Sequence, residues 1–265
     1  MKMNSILLNI EGISGIFYPC GKITQNILIY GIGAPTVPDN GDLPESIVVT
    51  KKKIDLFVPD YIGFGRSIGR FTPKNSIKTF LKLYDSFTKG TLGINHYSHT
   101  KVPMKYNRVI FAGRSLGGAY VPVLPKYNKN IKEIGVIFGA LDQSEQGVVK
   151  GEETNEDFID CILMDGYKYL YRGFNEKVWL RHLYDRDGLS PMDNIEFLRG
   201  AKVFIAHGKK DKCIHFSKSV AFYKSLITTF QDNKSDYKLR LYGNGGHDSS
   251  TAKSALNDFL NWIGV

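Results

Sequence analysis

The chain has 265 residues, with 35 Lys+Arg against 26 Asp+Glu, a formal net charge of +9, and hydrophobic residues at 42%. That composition excludes a disordered polyelectrolyte, and no apolar run approaches the roughly 20 residues a bilayer span needs. The basic excess is scattered, its one tight run being Lys51-Lys52-Lys53, so nucleic acid is not an expected partner and the run reads as a solvated loop or edge. Ser5–Ile10 is too short for a signal-peptide core, and Glu11 follows at once, so the expected setting is cytoplasmic.

In chain order, apolar β-branched runs predict strands at Ile6–Ile10, Gly15–Tyr18, Asn26–Tyr30, Ile54–Val58, Arg108–Ala112, Ile134–Phe138, Lys202–Ala206 and Lys238–Tyr242. Several are short, continuously apolar and bounded by Gly, Pro or Asp, as strands buried on both faces should be. Helix-period segments lie between them at Ser76–Phe87, Leu116–Leu124, Ser217–Phe230 and Thr251–Trp262. In the last, Ala252, Ala255, Leu256, Phe259, Leu260 and Ile263 share one face. This alternation predicts one α/β domain over residues 1–265, with a mostly parallel eight-stranded sheet covered by helices on both faces. The first two strands, with no helix between them, should form an antiparallel start.

Residues Leu141–Pro191 carry no buried-strand pattern. They begin polar and turn aromatic at Tyr167, Tyr169, Tyr171, Phe174 and Trp179, which predicts a small helical cap over the sheet's carboxyl edge. Tyr167, Tyr171 and Trp179 are expected to wall a substrate pocket. Cys20, Cys161 and Cys213 lack metal or redox spacing and read as reduced, part-buried side chains; neither a metal nor a cofactor is expected.

The chemistry centres on Arg108–Gly118, where an apolar strand runs directly into Gly113-Arg114-Ser115-Leu116-Gly117 and then a helix. A nucleophile on so sharp a turn needs hydrogen-sized neighbours two residues to either side, and the turn lifts the Ser115 hydroxyl to the positive end of the helix dipole. A second match, Gly65-Arg66-Ser67-Ile68-Gly69, has no strand directly before it. A serine needs a base, and the base an orienting acid. His207 ends an apolar strand and reads as packed. His96 and His99 lie in a polar loop, His182 lies in the insertion, and His215 precedes a helix. His247 sits in the flexible loop Gly243–Asp248 after a strand, where catalytic side chains collect. For the acid, Asp211 follows the strand 202–206 by a short turn, with Asp142, just past the strand 134–138, as the alternative.

With these motifs the chain resembles the α/β-hydrolase fold superfamily, from about Ile27 to the C-terminus. The order Ser115, Asp211, His247 is the superfamily's order. Asp60–Ser67 is similar to its D-x-x-G-x-G-x-S loop, Gly208 and Asp211 to its H-G-x-x-D turn, and Gly245-Gly246-His247 to its base loop. Ser190-Pro191 is similar to esterases and to prolyl-oligopeptidase-type peptidases. The resemblance implies an oxyanion hole from the amides of Ile32 and Leu116. The usual H-G-x-G is here Tyr30-Gly31-Ile32-Gly33, which leaves the backbone donors but alters the loop. What it implies is a cofactor-free serine hydrolase acting on small to medium acyl esters through an acyl-enzyme. The alternatives are a peptidase or aminoacyl-amide hydrolase on small peptides, a non-catalytic binding protein, and a lyase using the same triad.

Overall fold

The computed structural model describes residues 4–164 and 166–265. One mixed sheet runs through it. Its strands are β1 (Ile6–Ile10), β2 (Ile13–Tyr18), β3 (Asn26–Gly31), β4 (Asp55–Pro59), β5 (Thr91–Asn95), β6 (Lys101–Met104), β7 (Arg108–Arg114), β8 (Glu133–Ile137), β9 (Lys202–Gly208) and β10 (Tyr237–Tyr242). They stand in the order β10-β9-β8-β7-β3-β4-β2-β1-β5-β6. From β4 through β3 to β10 every neighbouring pair is parallel, whereas β1 and β2 pair antiparallel.

The sheet has ten strands rather than the expected eight. The eight form one contiguous run, and the hairpin β5–β6 extends it beyond β1. That hairpin is mostly exposed or half-buried and contains Gly93 and Pro103. An edge pair of this kind carries little of the apolar pattern from which strands are read.

The helices are α1 (Ser46–Lys51), α2 (Pro73–Lys89), α3 (Leu116–Tyr120), α4 (Asn155–Leu163), α5 (Glu176–Leu183), α6 (Ser217–Thr229) and α7 (Ser249–Trp262). Helix α2 starts earlier than its apolar period suggests, because Thr72 caps it by accepting from the Asn75 amide at 3.2 Å and Pro73 occupies the first turn. The expected single helix Leu116–Leu124 is α3 followed by a tighter 3-10 segment, Val121–Lys126. Pro122 and Pro125 explain the break, since neither can supply the amide an α-helix needs. Helix α7 contacts α1, β8 and β9, α2 contacts β7 and the segment Val121–Lys126, and α6 contacts β9 and β10. The predicted apolar face of α7 is buried, and Phe259 fills the space above Gly135, where an added Cβ would stand 2.7 Å from its ring.

The segment between β8 and β9 holds α4 and α5. Tyr171 and Trp179 turn inward against the loop after β4, whereas Tyr169 stays exposed. Tyr171 stacks on Phe64 at 4.8 Å and touches Phe71 at 4.7 Å; Trp179 stacks on Phe71 at 4.7 Å and on Phe174 at 5.7 Å. Backbone bonds Gly65 N–H to Leu170 O (3.0 Å) and Arg172 N–H to Gly63 O (2.8 Å) stitch the two segments together. The lysine run ends α1, with Lys51 and Lys53 exposed and Lys52 donating to Val265 O at 2.9 Å.

Trp179 is fully buried and its indole N–H donates to Phe71 O at 3.3 Å. Trp179→Ala is therefore expected to cost about 3–5 kcal/mol of stability, read as a lowered urea midpoint.

Candidate active site

Ser115 sits between β7 and α3 with φ 53° and ψ −122°, a region costly for a residue with a side chain, on the order of 1–3 kcal/mol. The turn survives because its neighbours pass backbone against backbone. A Cβ on Gly117 would lie 2.4 Å from the Gly31 carbonyl oxygen. The Ser115 amide donates to Ile137 O at 3.1 Å, which ties the turn to β8. Gly33 lies directly over the serine, its would-be Cβ 3.3 Å from Ser115 Oγ.

The acid and base loops are held the same way. A Cβ on Gly208 would lie 2.4 Å from the Gly245 carbonyl, and Lys210 N–H donates to Gly245 O at 2.8 Å. This clamp brings His247 Nδ1 to 2.8 Å from Asp211 Oδ2. The imidazole, 19% exposed, leans on the Phe138 ring at 4.4 Å. Asp211 is the carboxylate on His247; Asp142 instead accepts from the Ser144 hydroxyl at 2.9 Å.

Burial pushes the Asp211 carboxyl upward, but hydrogen bonds from His207 and His247, the His247 charge and the Ile214 amide outweigh it and hold it well below the usual carboxylate range. His207, packed as expected, contributes through Nε2, which lies 2.9 Å from Ile214 O and 3.2 Å from Asp211 Oδ2. Two acceptors at Nε2 place the ring proton there, so Nδ1 accepts from the Ser219 hydroxyl at 2.7 Å. Ser67, in the second G-x-S-x-G, is buried, accepts from Ser14 N–H at 2.9 Å and donates to Asp60 O at 2.7 Å. It is a structural residue.

Ser115 and His247 line one cavity of about 460 Å³. Part of its wall comes from the 33–36 loop and part from the insertion, through Gln143, Thr154, Asn155, Phe158 and Leu183. Tyr167, Tyr171 and Trp179 are not in that wall, contrary to the expectation from sequence. Tyr171 and Trp179 are spent in the core and Tyr167 packs against it, because large rings gain most where they exclude water completely. Tyr171 still touches the site indirectly, accepting from Thr36 N–H at 2.7 Å and donating to Thr36 O at 3.1 Å. Ile32 and Leu116 are both buried, Ile32 directly after β3 and Leu116 at the first turn of α3.

A polar network behind the serine escaped the sequence reading. Arg114 Nη1 lies 2.8 Å from Glu45 Oε1 and 3.2 Å from Ser249 Oγ, and the Tyr30 hydroxyl donates to the same Glu45 oxygen at 3.4 Å. Glu45 is fully buried, which raises its carboxyl's pKa despite the Arg114 charge. The pair thus joins α1, the serine turn and the start of α7. Its one signal in the sequence is Tyr30, where the resembled motif has histidine.

Solved structures share this architecture. A Pyrococcus furiosus esterase superposes with a TM-score of 0.64 at 14% identity, over 98% of this chain and 90% of that one. Est1E from Butyrivibrio proteoclasticus gives 0.63 at 17%, over 98% and 99%. This is an α/β-hydrolase fold chain. The same α/β-hydrolase architecture appears in the Pyrococcus horikoshii acylaminoacyl peptidase, at a TM-score of 0.63 and 13% identity, where 98% of this chain covers 39% of that one. Residues 156–264 match the model of the prolyl oligopeptidase family. By sequence, no curated protein matches.

Two outcomes follow from the buried charges of this chain. Arg114→Leu strands the Glu45 carboxylate and should cost about 3–5 kcal/mol; adding Glu45→Leu should recover part of it in a double-mutant cycle of unfolding free energies. Asp211, depressed in the fold, contributes stability that is present above the ordinary aspartate value of about 3.9 and is lost as the pH falls through that value toward the lower one in the fold. Acid titration by circular dichroism should therefore show a shallower pH dependence in Asp211→Asn than in the parent.

Proposed function

We propose that the chain is a serine hydrolase of carboxylic esters with small to medium acyl groups. The observation that carries this reading is the Asp211–His247 hydrogen bond, held on the wall of the cavity that the strained Ser115 also lines. With Nδ1 committed to Asp211, the imidazole keeps Nε2, on the far edge of the ring, for the Ser115 proton. Ser115 Oγ attacks the ester carbonyl, and His247 passes the proton to the leaving alcohol. Asp211 fixes the tautomer and stabilises the imidazolium.

The amides of Ile32 and Leu116 would hold the oxyanion, each lowering the barrier by about 3–4 kcal/mol. Water, activated by the same histidine, releases the acid. None of these steps calls for a metal or cofactor. The esterases among the structural neighbours support the ester reading. Three cysteines outside any disulfide are in keeping with a cytoplasmic setting.

A second reading, hydrolysis of small peptides or aminoacyl amides, is favoured by the prolyl oligopeptidase match and the acylaminoacyl peptidase neighbour. p-Nitrophenyl esters of rising chain length, assayed beside aminoacyl p-nitroanilides, decide between the two. On the reading proposed, esters turn over and anilides do not. Ser115→Ala should lose at least about a thousandfold in kcat, and a fluorophosphonate should label Ser115 and spare Ser67. Asp211→Asn should lose on the order of 10⁴ in kcat, with Asp142→Asn close to the parent rate. Labelling at Ser67, or the reverse ranking of the two acids, would overturn the assignment.

A further inference from the structure

The Asp211–His247 contact has neighbours that hydrolysis does not use. Cys213 lies two residues beyond Asp211, its amide donating to Asp211 Oδ1 at 2.9 Å. Its thiol donates to Glu153 Oε1 at 3.2 Å. One donor atom each from Asp211, Cys213 and His247 falls within a 4.8 Å span, the one such grouping of metal-ligating side chains among the described residues.

The grouping is held from both sides. Glu153 N–H donates to Lys212 O at 3.2 Å. The Gln146 side-chain amide donates to the carbonyls of Glu153 and Cys213, both at 2.7 Å. Lys218, the nearby cation, does not neutralise Glu153, because it is taken by Glu152 at 2.5 Å and Gln146 at 2.8 Å.

We propose that Asp211, Cys213 and His247, with Glu153 beside them, form an inhibitory site for a thiophilic divalent cation such as Zn²⁺. The chemistry of the set fits: one sulfur, one imidazole nitrogen and carboxylate oxygens suit a four-coordinate borderline-soft ion. Bonds of about 2.3 Å to sulfur and 2.0–2.2 Å to nitrogen and oxygen place donor atoms of one tetrahedral ion roughly 3.3–3.6 Å apart. Asp211 and His247 already stand at 2.8 Å, and Cys213 Sγ lies 3.2 Å from Glu153. The three donors spread over as much as 4.8 Å, so closing them around one ion takes side-chain shifts of about an ångström. The thiol proton leaves to solvent. The metal takes the lone pair of His247 Nδ1, so the imidazole proton moves from Nδ1 to Nε2. One proton is released in total and no electrons are transferred. With its proton on Nε2, His247 has no lone pair for the Ser115 hydroxyl, and hydrolysis stops although the cavity stays open.

The switch rests on the hydrolase reading, but the site does not, so binding is measured first on Ser115→Ala. Titrating that variant with Co²⁺ should produce a sulfur-to-cobalt charge-transfer band in the near ultraviolet that Zn²⁺ displaces. Adding Cys213→Ser should abolish the band, and adding Cys161→Ser should keep it. In the parent protein Zn²⁺ should suppress ester hydrolysis and a chelator restore it. In Cys213→Ser the Zn²⁺ concentration for half-inhibition, each rate taken relative to the same variant without metal, should rise by at least about tenfold. No band, or a band that survives Cys213→Ser, overturns the site. A band that depends on Cys213 with Zn²⁺ inhibition that does not overturns the switch. Failure of the parent to hydrolyse any ester would overturn the proposed activity and leave the cobalt result to decide the site.

Discussion

The structure turns on one steric constraint, the passage of backbone against backbone beneath Ser115. Gly117 rides on the Gly31 carbonyl, and Gly118 meets Gly139 with a would-be Cβ only 2.8 Å from its Cα. These contacts fix how α3 leaves β7 and hold β3 and β8 at its sides, and they keep Ser115 in its unfavourable backbone conformation. Strain of this kind persists only where surroundings over-determine it. Here the parallel register of β3, β7 and β8 supplies that support, with Ser115 N–H bonded to Ile137 O.

The clamp between Gly208 and Gly245 is its counterpart for the acid and base. Successive parallel strands end side by side, and their loops meet above the carboxyl edge, as ligand sites in open α/β sheets do. The buried Glu45–Arg114 pair then joins the serine turn to α1 and α7. Burying two charges seldom adds stability over apolar packing. What this pair supplies is position: Arg114 has defined partners on two other elements, so the residue before the nucleophile cannot wander.

The insertion divides its work in a way its composition hides. Its rings pin the loop after β4, and Tyr171 reaches Thr36 at the cavity's rim, while its polar beginning and α4 face the cavity itself. The same polar beginning brings Glu153 to Cys213, and so close to the acid and base. Recognition and any control by cation would thus come from the stretch with the least apolar patterning.

The sequence by itself determined the contiguous run of eight strands from β10 to β1, the serine turn and the order of the candidate acid and base. Short apolar runs, fixed glycine spacing and strand-to-helix transitions are local signals, carried by neighbouring residues. It did not show the hairpin β5–β6, whose exposed strands leave no periodic burial, nor that α3 gives way to a 3-10 segment at its prolines. Tertiary structure alone decided between Asp211 and Asp142 as the partner of His247, because both follow strands and only packing brings one loop onto another. It also decided that Tyr171 and Trp179 are core, that Glu45 lies behind the elbow, and that Cys213 stands beside the base. Each of those depends on residues far apart in the chain meeting where backbone closeness leaves them no other place.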